Sequence, residues 1–374
     1  MIPLNIQKNI KKDDLIVSKM NRSSFRQPKF NPKNYYKLLN NSNYYYALVI
    51  LRHYIRAVSD FYFSSILGAK NIDLFMMTNS ISSPTGPGSD SKPIDIKFGK
   101  LHTYLVDSSQ FGFEPLLSKR LSKVYCYLPS MRGEDPDSRH LNQFFHCEME
   151  IIGKLGDLIP IMEGYIKILC ETILAMPSIV ERISRNPSRT KSILKNITRA
   201  KSFPKVTLDE AVKLLEKNGK NNKNTLKISK HGKCIRGGGE IELLKILKAE
   251  TPVWLTHFDR DTVPFYQKPL ASNKEKTINA DLIFLPLVSN AFGGEIVGSG
   301  QRQDNPNEIR ESLERQRINS KNYEWYIDIR RFKQYKTTSG FGLGIERFIT
   351  WALGKESIRD VALYPRLKNV KIYP

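Results

Sequence analysis

Residues 340–347 read Gly-Phe-Gly-Leu-Gly-Ile-Glu-Arg, and no other stretch constrains the fold so strongly. Side chains alternate across an extended strand, so glycine at every second position clears one face of it. A flat ligand can then lie against the backbone. Arg347 is delivered at the edge of that surface, where a guanidinium can stack on a base or pair with phosphate. The residues that follow, Phe348-Ile349-Thr350-Trp351-Ala352-Leu353, have the pattern of a buried helix. A glycine-cleared strand running into a buried helix is a specific demand.

The rest of the composition bounds the setting. At 374 residues with 40% apolar content, the chain has room for one large domain or two smaller ones. No run of about 18 apolar residues occurs, so no membrane span is expected. The first dozen residues lack an apolar signal core. Cys126, Cys147, Cys170 and Cys234 are scattered and form no Cys-x-x-Cys pair, which argues against structural zinc and against a disulfide framework. A reducing cytoplasm is the expected location. Lys and Arg number 59 against 37 Asp and Glu, a net charge of +22. Such an excess suits polyanionic partners, nucleic acid or nucleotide phosphates. A compositional bias toward Lys, Asn, Ile and Ser is the bland alternative.

Along the chain, residues 1–40 are polar and basic and read as a loosely ordered extension. Leu48, Leu51, Ile55, Val58 and Tyr62 recur at helical spacing and predict a helix over 43–66, ended by Gly68. Strands are expected at 72–77, 94–98, 103–106, 123–128 and 143–152, with a loop at 82–90. Residues 156–183 read as helical. The stretch 181–236 is dense in Lys, Arg, Asn and Ser and reads as a basic surface insertion. Within it Thr207 and Glu210 frame a capping box for a helix at 207–217. Strands at 252–257 and 281–286, the segment 293–302 and a strand at 323–330 precede the glycine strand. Strands without a βαβ rhythm, flanked by long helices, give an α+β fold with an antiparallel sheet.

A second motif occupies 129–150. A strand ends in Arg132-Gly133-Glu134, a polar loop leads to Arg139-His140, and a returning strand carries Phe144 and two carboxylates. Arg132, Arg139 and His140 offer donors to a triphosphate, and Phe144 offers a stacking face. Taken alone, the motif also fits a surface hairpin with solvated charges. It is followed by Gly-Gly-Glu-Ile-Val-Gly-Ser-Gly-Gln-Arg at 293–302 and then by the glycine strand.

This order resembles the catalytic core of class II aminoacyl-tRNA synthetases, in the aspartyl/asparaginyl subgroup. The asparaginyl enzymes are nearest in Ser138-Arg139-His140-Leu141, Tyr323-Glu324-Trp325-Tyr326 and Leu363-Tyr364-Pro365-Arg366. The resemblance covers roughly residues 45–374. It implies that Arg132 binds the α-phosphate and the substrate carboxylate, Glu134 the adenine amino group, and Arg139 or His140 the outer phosphates. It places adenine between Phe144 and Arg347, over Gly342 and Gly344. Glu295, with Asp281, would hold Mg2+ beside the phosphates of ATP, and Arg302 would meet the substrate side chain. Arg132, Glu295 and Arg347 are thus the expected catalytic set. The implied reaction makes an aminoacyl-adenylate and needs no protein nucleophile.

Residues 107–114 resemble the Ser-Gly-Gln…Glu segment of asparaginyl enzymes, which makes Gln110 and Glu114 candidate substrate contacts. Glu114 would repel a second substrate carboxylate and so favour asparagine over aspartate. It could equally serve the N-terminus of a helix. Three readings follow: an adenylate-forming ligase that passes its amino acid to a small-molecule amine, a peptide or tRNA; an asparagine synthetase working through aspartyl-adenylate and ammonia; or a non-catalytic RNA-binding or regulatory relative. The anticodon-reading barrel is expected to be absent, because about 40 residues cannot build its five strands. A homodimer seamed by the helix at 43–66 is also implied.

Overall fold

The computed structural model describes residues 2–82, 91–118 and 120–373. Its centre is a sheet of eight strands: β1 (Lys70–Asn71), β2 (Lys123–Met131), β3 (Gln143–Ile152), β4 (Lys205–Thr207), β5 (Val253–Thr256), β6 (Asn279–Phe284), β7 (Gly294–Gln301) and β8 (Thr338–Gly344). Their order is β1-β2-β3-β8-β7-β6-β5-β4. The inner pairs are antiparallel. The outermost pair at each edge is parallel. The α+β class expected from the sequence is the one observed.

Period-two alternation gives this sheet two unlike faces. Cys147, Met149 and Ile151 of β3, Phe341 and Leu343 of β8, and Ala280, Leu282 and Phe284 of β6 lie in the principal core. They pack against α2 (Asn43–Asp60) and α3 (Leu155–Leu174), which supply Leu48, Leu51, Ile55, Ile166 and Leu169. Burying each such side chain contributes roughly 1.5–3 kcal/mol. At the seam, the Phe63 ring meets Tyr165 at 4.6 Å, Tyr125 at 5.1 Å and Phe341 at 6.1 Å. The helix containing α2 continues through a π turn over Phe61–Ile66 and stops at Gly68, whose φ of 69° suits glycine.

Several expectations need correction. Residues 1–40 are not a loose extension over their first half: Leu4–Lys19 form helix α1. Its Ile10 and Val17 are fully buried. Asp14 accepts hydrogen bonds from Ser178 N (3.0 Å) and Ile179 N (2.9 Å), capping the helix α4 (Pro177–Ile183). An apolar stripe of only Ile6, Ile10 and Val17 is too sparse to stand out among lysines.

The basic stretch 181–236 is likewise more than a surface insertion. Helix α5 (Pro187–Arg199) turns Ile193, Leu194 and Ile197 inward, and β4 extends the main sheet. Helix α6 (Leu208–Lys217) carries the predicted capping box. Leu208, Val212 and Leu215 form a second core with Leu243, Leu255 and Ile283. Lysines on the outer faces mask that periodicity. Residues 72–76 form no strand, although β1 and a two-residue strand at Met77–Thr78 flank them. The strand expected at 323–330 is a short helix, Glu324–Ile329. The loop expected at 82–90 lies, from residue 83 onward, outside the described residues.

Candidate active site

The second face of the sheet is polar. On β3, Phe144, His146, Glu148 and Glu150 alternate toward it. Strand β8 sets Gly344, Gly342 and Gly340 opposite His146, Glu148 and Glu150. Strand β7 then sets Gly298 and Gly300 opposite Gly342 and Gly340. A methyl group at Gly340 would collide with the Glu150 carboxylate, and one at Gly342 would stand 3.0 Å from Glu148 Oε1. Two carboxylates from β3 thus occupy part of the cleared face. The remainder floors a cavity of about 420 Å³.

Arg132, Glu134, Arg139, His140, Phe144, Gln110, Asp281, Glu295, Arg302, Gly342, Gly344 and Arg347 all line this cavity. Glu114 does not. Arg132 lies over the Phe144 ring at 5.4 Å. Arg139 stacks on Phe292 at 4.6 Å and donates to the Gly293 carbonyl. Asp137 accepts from the backbone N–H of Arg139 (2.7 Å) and of His140 (2.8 Å), which fixes the loop. Glu134 accepts from Lys92 N at 3.2 Å. Burial, together with the Arg347 charge, pushes the His140 imidazole below its usual value. Burial and the Arg132 and Arg347 charges push His146 down to about 3, so it is neutral.

Carboxylates gather at the opposite wall. A methyl group at Gly298 would lie 3.5 Å from Glu295 Oε1 and 3.6 Å from Asp281 Oδ1, so both acids converge over that glycine. A register shift between Leu282 and Ile283 gives Glu295 its position. Burial pushes Glu295 up, but Arg347 and Arg139 outweigh it and hold its carboxyl below the usual range. Arg347 Nη1 donates to Glu295 Oε2 at 3.1 Å. Burial, then the charges of Glu295 and Glu240, raises Asp281 well above its usual value. The Arg347 charge opposes that rise without cancelling it. Among the described residues no group of three or more His, Cys, Asp or Glu is arranged to hold a metal. Two carboxylates in a cavity also lined by Arg132, Arg139 and Arg347 are nevertheless a donor set that suits Mg2+, which takes few protein ligands and completes its shell with phosphate and water.

Glu240 escaped sequence analysis. It stands in α7 (Gly237–Ile246) and accepts from Glu295 N at 2.9 Å. A run of three glycines precedes it, and at Gly237 a methyl group would lie 3.4 Å from Arg139. That run was the available signal of a close approach. Glu148 and Glu150 were visible as a pair, but their shared face with Phe144 went unused. Ser108 Oγ donates to Glu148 at 2.7 Å and Ser109 N at 2.6 Å. Glu150 binds Arg302 through Nε (3.0 Å) and Nη2 (2.8 Å).

The expectation that Glu114 faces a substrate fails. Both its side chain and that of Arg330 are fully withdrawn from solvent in an ion pair, and Tyr326 Oη donates to Glu114 Oε1 at 2.5 Å. Gln110 Nε2 reaches Glu114 at 3.4 Å, so only Gln110 of the two faces the cavity. The site is also tied to α2. Arg52 Nη2 donates to Glu346 Oε1 at 2.7 Å, and Glu346 Oε2 accepts from Phe145 N at 2.8 Å.

Comparison with known proteins gives the chain a family. The family model of the tRNA synthetases class II (D, K and N) matches residues 32–368. The chain belongs to this family. Among similar class II synthetases, the asparagine–tRNA ligase of Pyrococcus abyssi is 28% identical over 281 residues, 75% of this chain and 60% of the relative. That of Mycoplasma genitalium is 28% identical over 271 residues, 71% of this chain and 58% of the relative. The chain therefore spans about 60% of the length of the curated relatives it matches. The fold of this synthetase-family chain matches that of asparaginyl-tRNA synthetase from Pyrococcus horikoshii complexed with asparaginyl-adenylate, with a TM-score of 0.79 at 23% identity, over 94% of this chain and 76% of that one. The Entamoeba histolytica asparaginyl-tRNA synthetase in complex with asparaginyl-adenylate gives a TM-score of 0.74 at 23% identity, over 94% of this chain and 74% of that one. No helix among the described residues is long and apolar enough to cross a membrane.

Proposed function

We propose that this chain activates asparagine with ATP to give asparaginyl-adenylate and pyrophosphate, and passes the asparaginyl group to tRNA. The observation that carries this reading is the gathering of Arg132, Arg139 and Arg347 around a glycine-floored cavity, with Glu295 and Asp281 on its wall. The names of the relatives, asparagine–tRNA ligases, favour tRNA over a free amine or a peptide as acceptor.

In the reaction a carboxylate oxygen of the amino acid bonds to the α-phosphorus of ATP, and the bond from that phosphorus to the bridging oxygen of pyrophosphate breaks. No proton moves in this step, so no base is required. Arg132 holds the α-phosphate and the attacking carboxylate in line. Arg139 and His140 face the outer phosphates, and neutral His140 serves there as a hydrogen-bond donor. Phe144 and Arg347 take adenine between them, with Gly342 and Gly344 beneath and Glu134 at the amino group. Glu295 and Asp281 would hold Mg2+, which when bound neutralises the triphosphate. Orientation and charge compensation supply the rate enhancement.

The choice of asparagine rests on the far end of the cavity. Arg302 is already met by both oxygens of Glu150, and Glu148 adds another acidic group. A second substrate carboxylate would enter a site with no spare positive charge, whereas a neutral carboxamide would not. Self-association through α2 and the residues after it fits the exposure of Val49, Ile66, Phe75 and Met77.

The test is ATP–pyrophosphate exchange across the amino acids, followed by aminoacylation of total tRNA. Exchange with asparagine that requires Mg2+, and charging of tRNA, are expected. Exchange with aspartate alone would replace this reading by the asparagine-synthetase one. Absence of exchange with every amino acid would leave only an RNA-binding role.

A further inference from the structure

Gln267 lines the catalytic cavity beside Arg302, to which its backbone is bridged. It is 9% exposed, and its Oε1 is buried without a hydrogen-bond partner among the described residues. Its side-chain nitrogen donates to no protein acceptor there either. Nearly every other polar head group along this end of the cavity is engaged: Arg302 with Glu150, Glu148 with Ser108 and Ser109. A buried acceptor left unmade costs free energy, so such an atom calls for a donor from elsewhere. The absence of a side chain at Gly300 on β7 is what lets the amide sit there, because a methyl group at that position would collide with it. Gly298, Gly300 and Arg302 point to the same side of β7, so the amide stands between the carboxylate wall and the Arg302 guanidinium.

We infer that Gln267 is a specificity residue: its carboxamide pairs with the side-chain carboxamide of asparagine. An amide offers one donor edge and one acceptor edge, and so does its partner, which allows two hydrogen bonds between them. Rotating the Gln267 head group exchanges its edges and leaves the pairing intact. An aspartate side chain offers acceptors only. It would satisfy the amide nitrogen and set its second oxygen against Oε1. The inference rests on the adenylation reading and adds to it the group that tells amide from acid.

The experiment measures pyrophosphate exchange with asparagine and with aspartate in the unsubstituted protein, in Gln267→Met and in Gln267→Glu, with the KM for ATP alongside. In Gln267→Met the KM for asparagine is expected to rise by about tenfold or more, because both hydrogen bonds go. The KM for ATP should stay, and the preference for asparagine over aspartate should shrink. In Gln267→Glu, which keeps the shape, aspartate should lose more than asparagine, because carboxylate then faces carboxylate. A residue with a merely structural role would shift both amino acids alike in both variants. An asparagine KM within about twofold of the parent in Gln267→Met, in protein that still exchanges, overturns the inference and leaves the adenylation reading standing. Absence of exchange with any amino acid in the unsubstituted protein overturns both.

Discussion

Glu114 and Arg330 form an ion pair with neither side chain exposed to solvent, and Tyr326 closes it by donating to the same carboxylate. This pair decides what Glu114 does. Arg330 also donates to the Gln303 carbonyl and lies 3.8 Å over the Tyr326 ring, so the cluster joins three segments distant in sequence. Removing one partner strands the other charge in the interior. Glu114→Ala or Arg330→Ala should each cost about 3–5 kcal/mol in urea unfolding. The double change Glu114→Leu with Arg330→Met should recover much of that. The KM for asparagine of folded Glu114→Gln should match the parent; a large rise would return Glu114 to the substrate.

Arg132→Ala and Arg347→Ala should each lower pyrophosphate exchange by at least about 10²-fold, because each removes charge or stacking that counts most in the transition state. Circular dichroism should show both folded. Glu295→Gln should raise the Mg2+ concentration needed for half-maximal exchange. Parental exchange in either arginine variant would sink the assigned roles.

The convergence of such residues was legible in the sequence. Motif spacing put Arg132, Arg139, Phe144, Glu295 and Arg347 on elements the structure draws to one cavity. Glu114 was misread for a connected reason. Residues 323–330 look like a strand by their aromatic content, but they form the helix that brings Tyr326 and Arg330 onto Glu114. A partner more than two hundred positions away leaves no local trace. Gln267 left no trace on the same ground, since it gains meaning only from residues that arrive later in the chain, and Glu240 was marked only by the glycine run before it. The apolar stripe of α1 was drowned by lysine.

His146 should make the fold sensitive to acid. Its folded value of about 3 lies below the ordinary imidazole value of 6.5. Between those values the unfolded chain binds a proton that the folded chain refuses. Stability therefore rises with pH through this window and is level above about 6.5 for this group. The slope should be about 1.4 kcal/mol per pH unit at most. His146→Gln should flatten that slope in urea titrations between pH 4 and about 6. An unchanged slope would place the acid sensitivity elsewhere.

The outer face of α5 presents Arg189, Lys195 and Arg199 to solvent, with no ion pair to any described residue. If these meet the phosphates of tRNA, affinity should fall steeply with salt. Replacing all three by Ala should then reduce the slope of log affinity against log salt by about two to three. Filter binding at several salt concentrations measures this. An unaltered slope would show that α5 stays off the RNA.

Light scattering should report twice the chain mass, and Phe75→Ser should lower it toward the monomer. A monomer at micromolar concentration in the parent protein would refute the seam.

One linkage ties that seam to the chemistry. Arg52, on α2, grips Glu346, and Glu346 in turn holds the backbone of Phe145. The neighbours of those last two residues are Arg347 and Phe144, the jaws proposed for adenine. A single carboxylate thus acts as the pivot for both proposed jaws, and the helix that steadies the pivot is the same one proposed as the seam with a second copy. If both proposals hold, assembly and nucleotide grip share one mechanical support, and a loosened interface is expected to show first as slackened hold on the base.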